Sequence, residues 1–150
     1  MLEKVLAISP NHMSIVVSDV DSAKRFLSAL GFEEYSNKVI SGPVMEKYLG
    51  VPDMEAEHIT MVLKDADPYF DIQLLKYHRP HSLPNEHVRD LSAIGFNHFG
   101  FAVDDLEKSL NDLKAAGVEM RNEIMKFRDY KMALIWGPEG LTFELVQKLS

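Results

Sequence analysis

The chain has 150 residues, 16 Lys and Arg against 23 Asp and Glu, a formal net charge of −7, 46% apolar residues and no cysteine. That is the size of one domain with a substantial core, which excludes a disordered chain, a disulfide scaffold and a thiolate zinc site. The acidic balance argues against a surface for nucleic acid or anionic lipid, and the longest apolar run, Met132–Trp136, is far below the roughly 20 residues of a membrane helix.

Met1–Ile8 has neither a long apolar segment nor a small-residue cleavage site, so no secretory leader is expected and a cytoplasmic location is. A strand is expected from Asn11 to Val17. A helix follows, with Ala23, Phe26, Leu27 and Leu30 at helical spacing, Asp19 near its start and Gly31 just past its end. Residues 34–55 carry little legible periodicity. Ile59–Leu63, an Asp- and Pro-rich turn over Lys64–Tyr69, and Asp71–Tyr77 then read as a β-hairpin. The polar, proline-bearing stretch that opens at His78 reads as a linker.

The same order then recurs. Asn11–Val20 and Asn97–Leu106 match at an offset of 98 − 12 = 86, and the match runs on through Leu27/Leu113, Ala29/Ala115, Gly31/Gly117 and Glu33/Glu119. Eight of the 23 positions from 11 to 33 are identical, where chance supplies about one. In the second copy Asp105 opens a helix carrying Leu106, Leu110, Leu113 and Ala116, and Gly117 closes it. Met132–Trp136, Gly137-Pro138-Glu139-Gly140 and Leu141–Gln147 form its hairpin, with residues 120–131 the unreadable part. The expected fold is α+β: two βαβββ modules (about 9–77 and 95–148, linker about 78–94) in one domain over residues 1–150, forming a curved mixed-sheet cleft.

Side chains alternate across a strand, so each strand divides into two faces. Met13, Ile15 and Val17 are bulky, as are Phe99, Phe101 and Val103, and these faces should pack on helices. His12, Ser14 and Val16, and His98, Gly100 and Ala102, form the opposite faces, smaller and bearing the histidines. In the late strands Ile72 and Leu74 pack, opposite Gln73, Leu75 and Tyr77; Phe143 and Leu145 pack, opposite Thr142, Glu144 and Val146. His12 and Gln73 thus stand where His98 and Glu144 stand in the other copy. A lone strand His is ordinarily a hydrogen-bonded core residue, a lone strand Glu is ordinarily solvated, and Gln73 alone says nothing. Four polar residues at repeat-equivalent, same-face positions point instead to a shared partner, and a divalent cation satisfies them most simply. Pairing of the copies about a pseudo-twofold axis would let all four converge.

Two imidazoles and two oxygen donors suit Zn, Ni, Co, Mn or Fe(II). With one carboxylate in the set, a 2+ ion keeps a formal charge of about +1. Such a centre can hold two vicinal substrate oxygens and stabilise the enediolate formed when a proton leaves beside a carbonyl. Asn11–Val20, Leu30-Gly31-Phe32, Gly95–Asp105 and Gly137–Val146 resemble the vicinal oxygen chelate superfamily (glyoxalase, bleomycin resistance protein and extradiol dioxygenase), over about Ser9 to Gln147. The resemblance implies metal ligands on the first and last strands of each module, which carry over by position to His12, Gln73, His98 and Glu144. This set is similar to those of methylmalonyl-CoA epimerase and glyoxalase I.

The leading expectation is a metal-dependent lyase or isomerase acting on a small-molecule substrate by proton transfer. Glu144 would be both ligand and proton shuttle. A second base would come from Glu57 or His58, of which strand parity lets only one face inward. Two alternatives stand beside it. One is an Fe(II) ring-cleaving dioxygenase using only His12, His98 and Glu144; the other is a non-catalytic binding protein like the bleomycin-resistance members. A homodimer is expected by analogy. Lesser candidates are a linker metal site at His78, His81 and His87, cleft aromatics Tyr48, Tyr77, Phe127 and Tyr130, and a basic cluster of Lys126, Arg128 and Lys131 for a substrate carboxylate or phosphate. Each is equally or better explained as solvated surface or packing.

Overall fold

A computed structural model describes residues 6–150; the first five residues of the segment examined for a leader lie outside it. The described elements are β1 (His12–Val16), α1 (Val20–Ala29), β2 (Phe32–Ser41), α2 (Pro43–Leu49), β3 (Glu55–Leu63), β4 (Asp71–Arg79), β5 (His98–Ala102), α3 (Leu106–Ala115), β6 (Met125–Phe127), β7 (Tyr130–Trp136) and β8 (Thr142–Lys148), with a 3-10 turn at Pro138–Gly140 before β8. The fold is α+β. Two mixed four-stranded sheets have equivalent orders, β1-β4-β3-β2 and β5-β8-β7-β6, so the duplication read in the sequence is a duplication of topology. The first strand of each copy pairs in parallel with the last, Ser14 opposite Gln73 and Gly100 opposite Glu144. The remaining pairs are antiparallel.

By contact the chain divides into two units. The first comprises the described residues up to Val20 with Gly31–Ser82; the second comprises Asp21–Leu30 with Leu83–Ser150, so helix α1 is grouped with the second sheet. In the first unit Ile15, Val17, Ile59, Met61, Ile72 and Leu74 are buried on one face, as strand parity requires. In the second, Ala133, Ile135, Phe143 and Leu145 are buried with Ala23, Phe26 and Leu27 of α1 and Leu106, Leu110 and Leu113 of α3. The Phe143 ring lies 5.1 Å from that of Phe26 and stacks on Phe101 at 6.1 Å and 7°. Each such aromatic ring contributes about 2–3 kcal/mol through burial.

The local signals act as expected at the helix ends. Asp105 accepts the Lys108 N–H at 3.0 Å as the N-cap of α3, and Gln147 on β8 accepts the Leu106 N–H at 2.8 Å. Gly31 and Gly117 adopt φ of 100° and 91°, which residues with a Cβ enter reluctantly.

Two elements, α2 and β6, had no sequence signal. Helix α2, with Pro43 in its first turn, occupies part of the unreadable 34–55 stretch. Its Met45 and Leu49, with Ile40, Val51 and Tyr77, pack on the buried trio Met54, Ala56 and Leu75. Leu75 shares a face with Gln73, so one end of the face of the first sheet that carries His12 and Gln73 is covered by an apolar cap.

Candidate metal centre

Each unit brings together half of the expected donors. In the first, Ser14 pairs with Gln73, which places His12, two residues earlier on β1, on the same face of the sheet. In the second, His98 and Glu144 stand in the equivalent places, with His98 Nε2 3.7 Å from Glu144 Oε1. The carboxylate is 19% exposed and the imidazole 36%, so both are reachable from solvent yet held by the sheet. Gly100 keeps room for this carboxylate, since a Cβ there would lie 3.2 Å from Glu144 Oε1.

Both histidines are held in the same way. His12 Nδ1 lies 2.6 Å from Asn11 Oδ1, and His98 Nδ1 lies 2.6 Å from Asn97 Oδ1. An amide oxygen is only an acceptor, so Nδ1 must carry the proton to make the bond. That leaves Nε2 with its lone pair directed outward, which is the tautomer a metal ligand requires. Asn11 and Asn97 were visible as identities of the repeat, but their role depends on side-chain torsions that spacing does not reveal.

Gln73 also has a partner. His58 Nε2 lies 3.1 Å from Gln73 Oε1, an approach in which the imidazole donates and the amide presents its oxygen rather than its nitrogen. With Nε2 protonated, His58 Nδ1 is a buried acceptor with no partner among the described residues. Thr60 opposes Gln73 in the β3–β4 register, so His58, two residues before it, shares the ligand face and Glu57 has the other. There Glu57 lies 3.8 Å from His78 Nε2, while His78 Nδ1 is 3.0 Å from Glu55 Oε2. Of the two base candidates, His58 faces inward.

The donor set fits a divalent cation of borderline softness: two imidazoles in the ligating tautomer, one oriented amide oxygen and one carboxylate in a cradle cleared by a glycine. Among the described residues no three His, Asp or Glu side chains are grouped so as to hold an ion, and each unit by itself contributes two of the expected donors. The same finding bears on the linker histidines: His78 lies within β4, next to its last residue, in contact with Glu55 and Glu57, and His81 and His87 are exposed.

Two members of the expected basic cluster of Lys126, Arg128 and Lys131 have partners of their own. Lys131 Nζ donates to both Glu107 carboxylate oxygens at 2.7 Å, holding that carboxyl below its usual range, and Arg128 lies over the Phe127 ring at 5.2 Å. Phe127 and Tyr130 are exposed on the β6–β7 hairpin and Tyr48 on α2, whereas Tyr77 packs in the α2 cluster.

Two arginines that spacing did not single out lie on the face of the second sheet that carries His98 and Glu144. Arg121 and Arg89 place their guanidinium carbons 4.3 and 5.1 Å from the Trp136 ring centroid. Arg121 donates to Thr142 Oγ1 at 3.2 Å and to the Arg89 carbonyl at 2.8 Å, and Thr142, on the face opposite Phe143, is fully buried.

The family model of the glyoxalase/bleomycin resistance protein/dioxygenase superfamily matches residues 11–133. Among solved structures, a glyoxalase family protein from Bacillus cereus is 22% identical and superposes with a TM-score of 0.86 over 100% of both chains. A glyoxalase I variant from Zea mays is 19% identical at a TM-score of 0.65, over 93% of this chain and 45% of that one. The fosfomycin resistance protein FosX from Listeria monocytogenes, complexed with Mn(II) and sulfate, is 16% identical at 0.60, over 95% and 93% of the two chains. At these identities the likeness is one of fold. No curated protein sequence matches the chain significantly.

Proposed function

From the premise that this chain belongs to the glyoxalase/bleomycin resistance protein/dioxygenase superfamily, we propose that His12, Gln73, His98 and Glu144 together hold one divalent cation and that the protein is a lyase or isomerase transferring a proton beside a carbonyl. The observation that carries this reading is the twofold Asn–His bond, 2.6 Å in both copies, which fixes both imidazoles in the ligating tautomer. A divalent ion in general is further supported by the Mn(II) of the Listeria relative. When bound, the ion polarises a substrate carbonyl and stabilises negative charge developing next to it.

The chain's own residues supply the rest. Asn11 and Asn97 keep the Nδ1 protons of His12 and His98 in place. His58 orients Gln73 through its Nε2–H and takes no proton from substrate, because its other nitrogen is buried. Glu144, partly exposed beside His98, takes the proton at a carboxylate oxygen and returns it. Glu57 has no step, since it lies on the opposite face.

A second reading has one observation in its favour: the engagement of Gln73 with His58 leaves His12, His98 and Glu144 as a three-donor set, as an Fe(II) ring-cleaving dioxygenase uses. Substrate α-carbon deuterium exchange separates the two. We expect exchange with hemithioacetals or 2-methylacyl thioesters in protein loaded with one ion per chain, and a loss of 10²-fold or more in Gln73→Ala and Glu144→Gln. Oxygen uptake with a catechol and Fe(II), retained in Gln73→Ala, would transfer the assignment to the oxygenase. Absence of a stoichiometric ion in protein purified without chelator would remove both and leave a binding protein.

A further inference from the structure

The ligand face of the second sheet carries a second constellation, beside His98 and Glu144. His98 opposes Thr142 across β5 and β8, and Thr142 opposes Trp136 across β8 and β7, so the three side chains form one row on one face. Two guanidinium groups lie over the end of that row, on the Trp136 ring. Arg121 comes from the segment after α3, held by its backbone N–H to the Leu134 carbonyl at 2.8 Å. Arg89 comes from the segment between the modules. Gly140 makes room for it: a Cβ there would lie 2.9 Å from Arg89 Nε, and the backbone at φ 77° disfavours a side chain anyway.

Two like charges sharing one indole repel each other, and this chain has carboxylates to spare. Yet among the described residues neither arginine forms an ion pair. The nearest carboxylate in sequence, Asp90, is turned to Ser92, whose N–H and Oγ donate to it at 2.9 and 2.7 Å. It feels Arg121 only weakly: the Ser92 hydrogen bonds are the main cause of its lowered pKa and Arg121 the least. A guanidinium has five N–H donors in a planar fork. Arg121 directs two groups at Thr142 and the Arg89 carbonyl, and the Arg89 guanidinium makes no hydrogen bond among the described residues. Donors left over from two forks, held within 5.1 Å of one indole centroid, match a carboxylate or a phosphate, which each can bind through two oxygens.

We infer that Arg89, Arg121 and Trp136 form an oxyanion-binding subsite, and that the small molecule bound at this face carries a carboxylate or phosphate group. Neighbouring strands are about 4.8 Å apart, so the subsite lies roughly 5–10 Å from His98. That separation suits a compact molecule whose anionic group is a few bonds from the carbonyl beside which the proton moves. Assigning the molecule as substrate rests on the proton-transfer reading; the binding of an oxyanion does not.

Trp136 is the only tryptophan of the chain, so its fluorescence reports this site directly. The test is titration of chelator-treated, full-length protein with inorganic phosphate and, separately, malonate, at constant ionic strength. The expected result is a saturable change in emission for at least one of the two at millimolar concentration, with chloride giving none. The stronger arm identifies the anionic group. Arg121→Met and Arg89→Gln should each weaken binding at least tenfold, and Arg121→Lys should weaken it too, because the ammonium keeps the charge but loses the fork. Arg89 is exposed, so its variant gives the answer if Arg121→Met fails to fold. Emission that does not saturate with either anion, or affinities unchanged in both variants, would overturn the proposal. Because no metal is present, that failure leaves the proton-transfer reading standing, just as a missing ion leaves the oxyanion subsite standing.

Discussion

Asn11 and Asn97 each precede a histidine and accept a hydrogen bond from its Nδ1–H, so the residues that prepare the proposed ligands are not those ligands themselves. Removing such a partner frees the imidazole to take either tautomer and rotate, which characteristically weakens metal binding about 10–100-fold. Asn97→Ala and Asn11→Ala should each show that loss in chelator-competition titrations, with thermal stability nearly unchanged in Asn11→Ala and slightly lowered in Asn97→Ala, whose amide also donates to the Leu91 carbonyl at 2.6 Å. Nitrogen NMR of the metal-free variants should show mixed imidazole tautomers where the parent shows one. Unchanged affinity in both variants would dismiss the role. At this scale the sequence was legible wherever parity alone decides. It divided His12 from Met13, Gln73 from Leu74 and Glu144 from Phe143, and it showed that only one of Glu57 and His58 could face inward. Choosing His58 required the β3–β4 register, which no local pattern encodes. Arg89 and Arg121 were illegible for another reason: both come from irregular segments, where spacing carries no directional information.

The elements divide in the same way. Strands and helices with a buried stripe announced themselves, including the helix-ending Gly31 and Gly117. Helix α2 did not, because seven residues are too few to build a periodic signal and its stability comes from packing on Met54, Ala56 and Leu75. Likewise β6, three exposed residues at a sheet edge, exists through its pairing with β7 and has no hydrophobic pattern of its own. The turn between β7 and β8 shows how tightly an element can constrain one position. A Cβ on Gly137 would lie 2.5 Å from Phe143 Cδ2, and that ring is fully buried between Phe26 and Phe101. Gly137→Ala should therefore cost on the order of 1–3 kcal/mol in denaturant unfolding, through overpacking rather than backbone strain. A cost below about 0.5 kcal/mol would mean that the ring can move aside.

For the whole molecule, two incomplete donor pairs make one prediction that neither pair makes alone. If one ion engages both, losing either imidazole should be equally damaging. Chelator treatment should lower the melting temperature of the parent protein, and an ion supplied at 100 times its dissociation constant should restore about 2.7 kcal/mol. His12→Ala and His98→Ala should both lose this metal-dependent stabilisation in scanning calorimetry. Persistence in one of them would confine the ion to the other unit. The duplicated topology was the most legible feature of all, because eight identities in register require one frame twice. What the repeat could not reveal is where the copies have stopped being copies.

That divergence is concentrated between each copy's principal helix and its closing hairpin. In the first copy this stretch became a short apolar lid, α2; in the second it became an irregular run that delivers a cation, Arg121. Ancestral doubling thus left two independently editable inserts, each beside a sheet whose first and last strands carry the proposed donors. Grafting or redesigning one insert should change what the protein accepts without rebuilding the machinery that acts on it, which makes these segments the natural place to look for how relatives came to differ in diet.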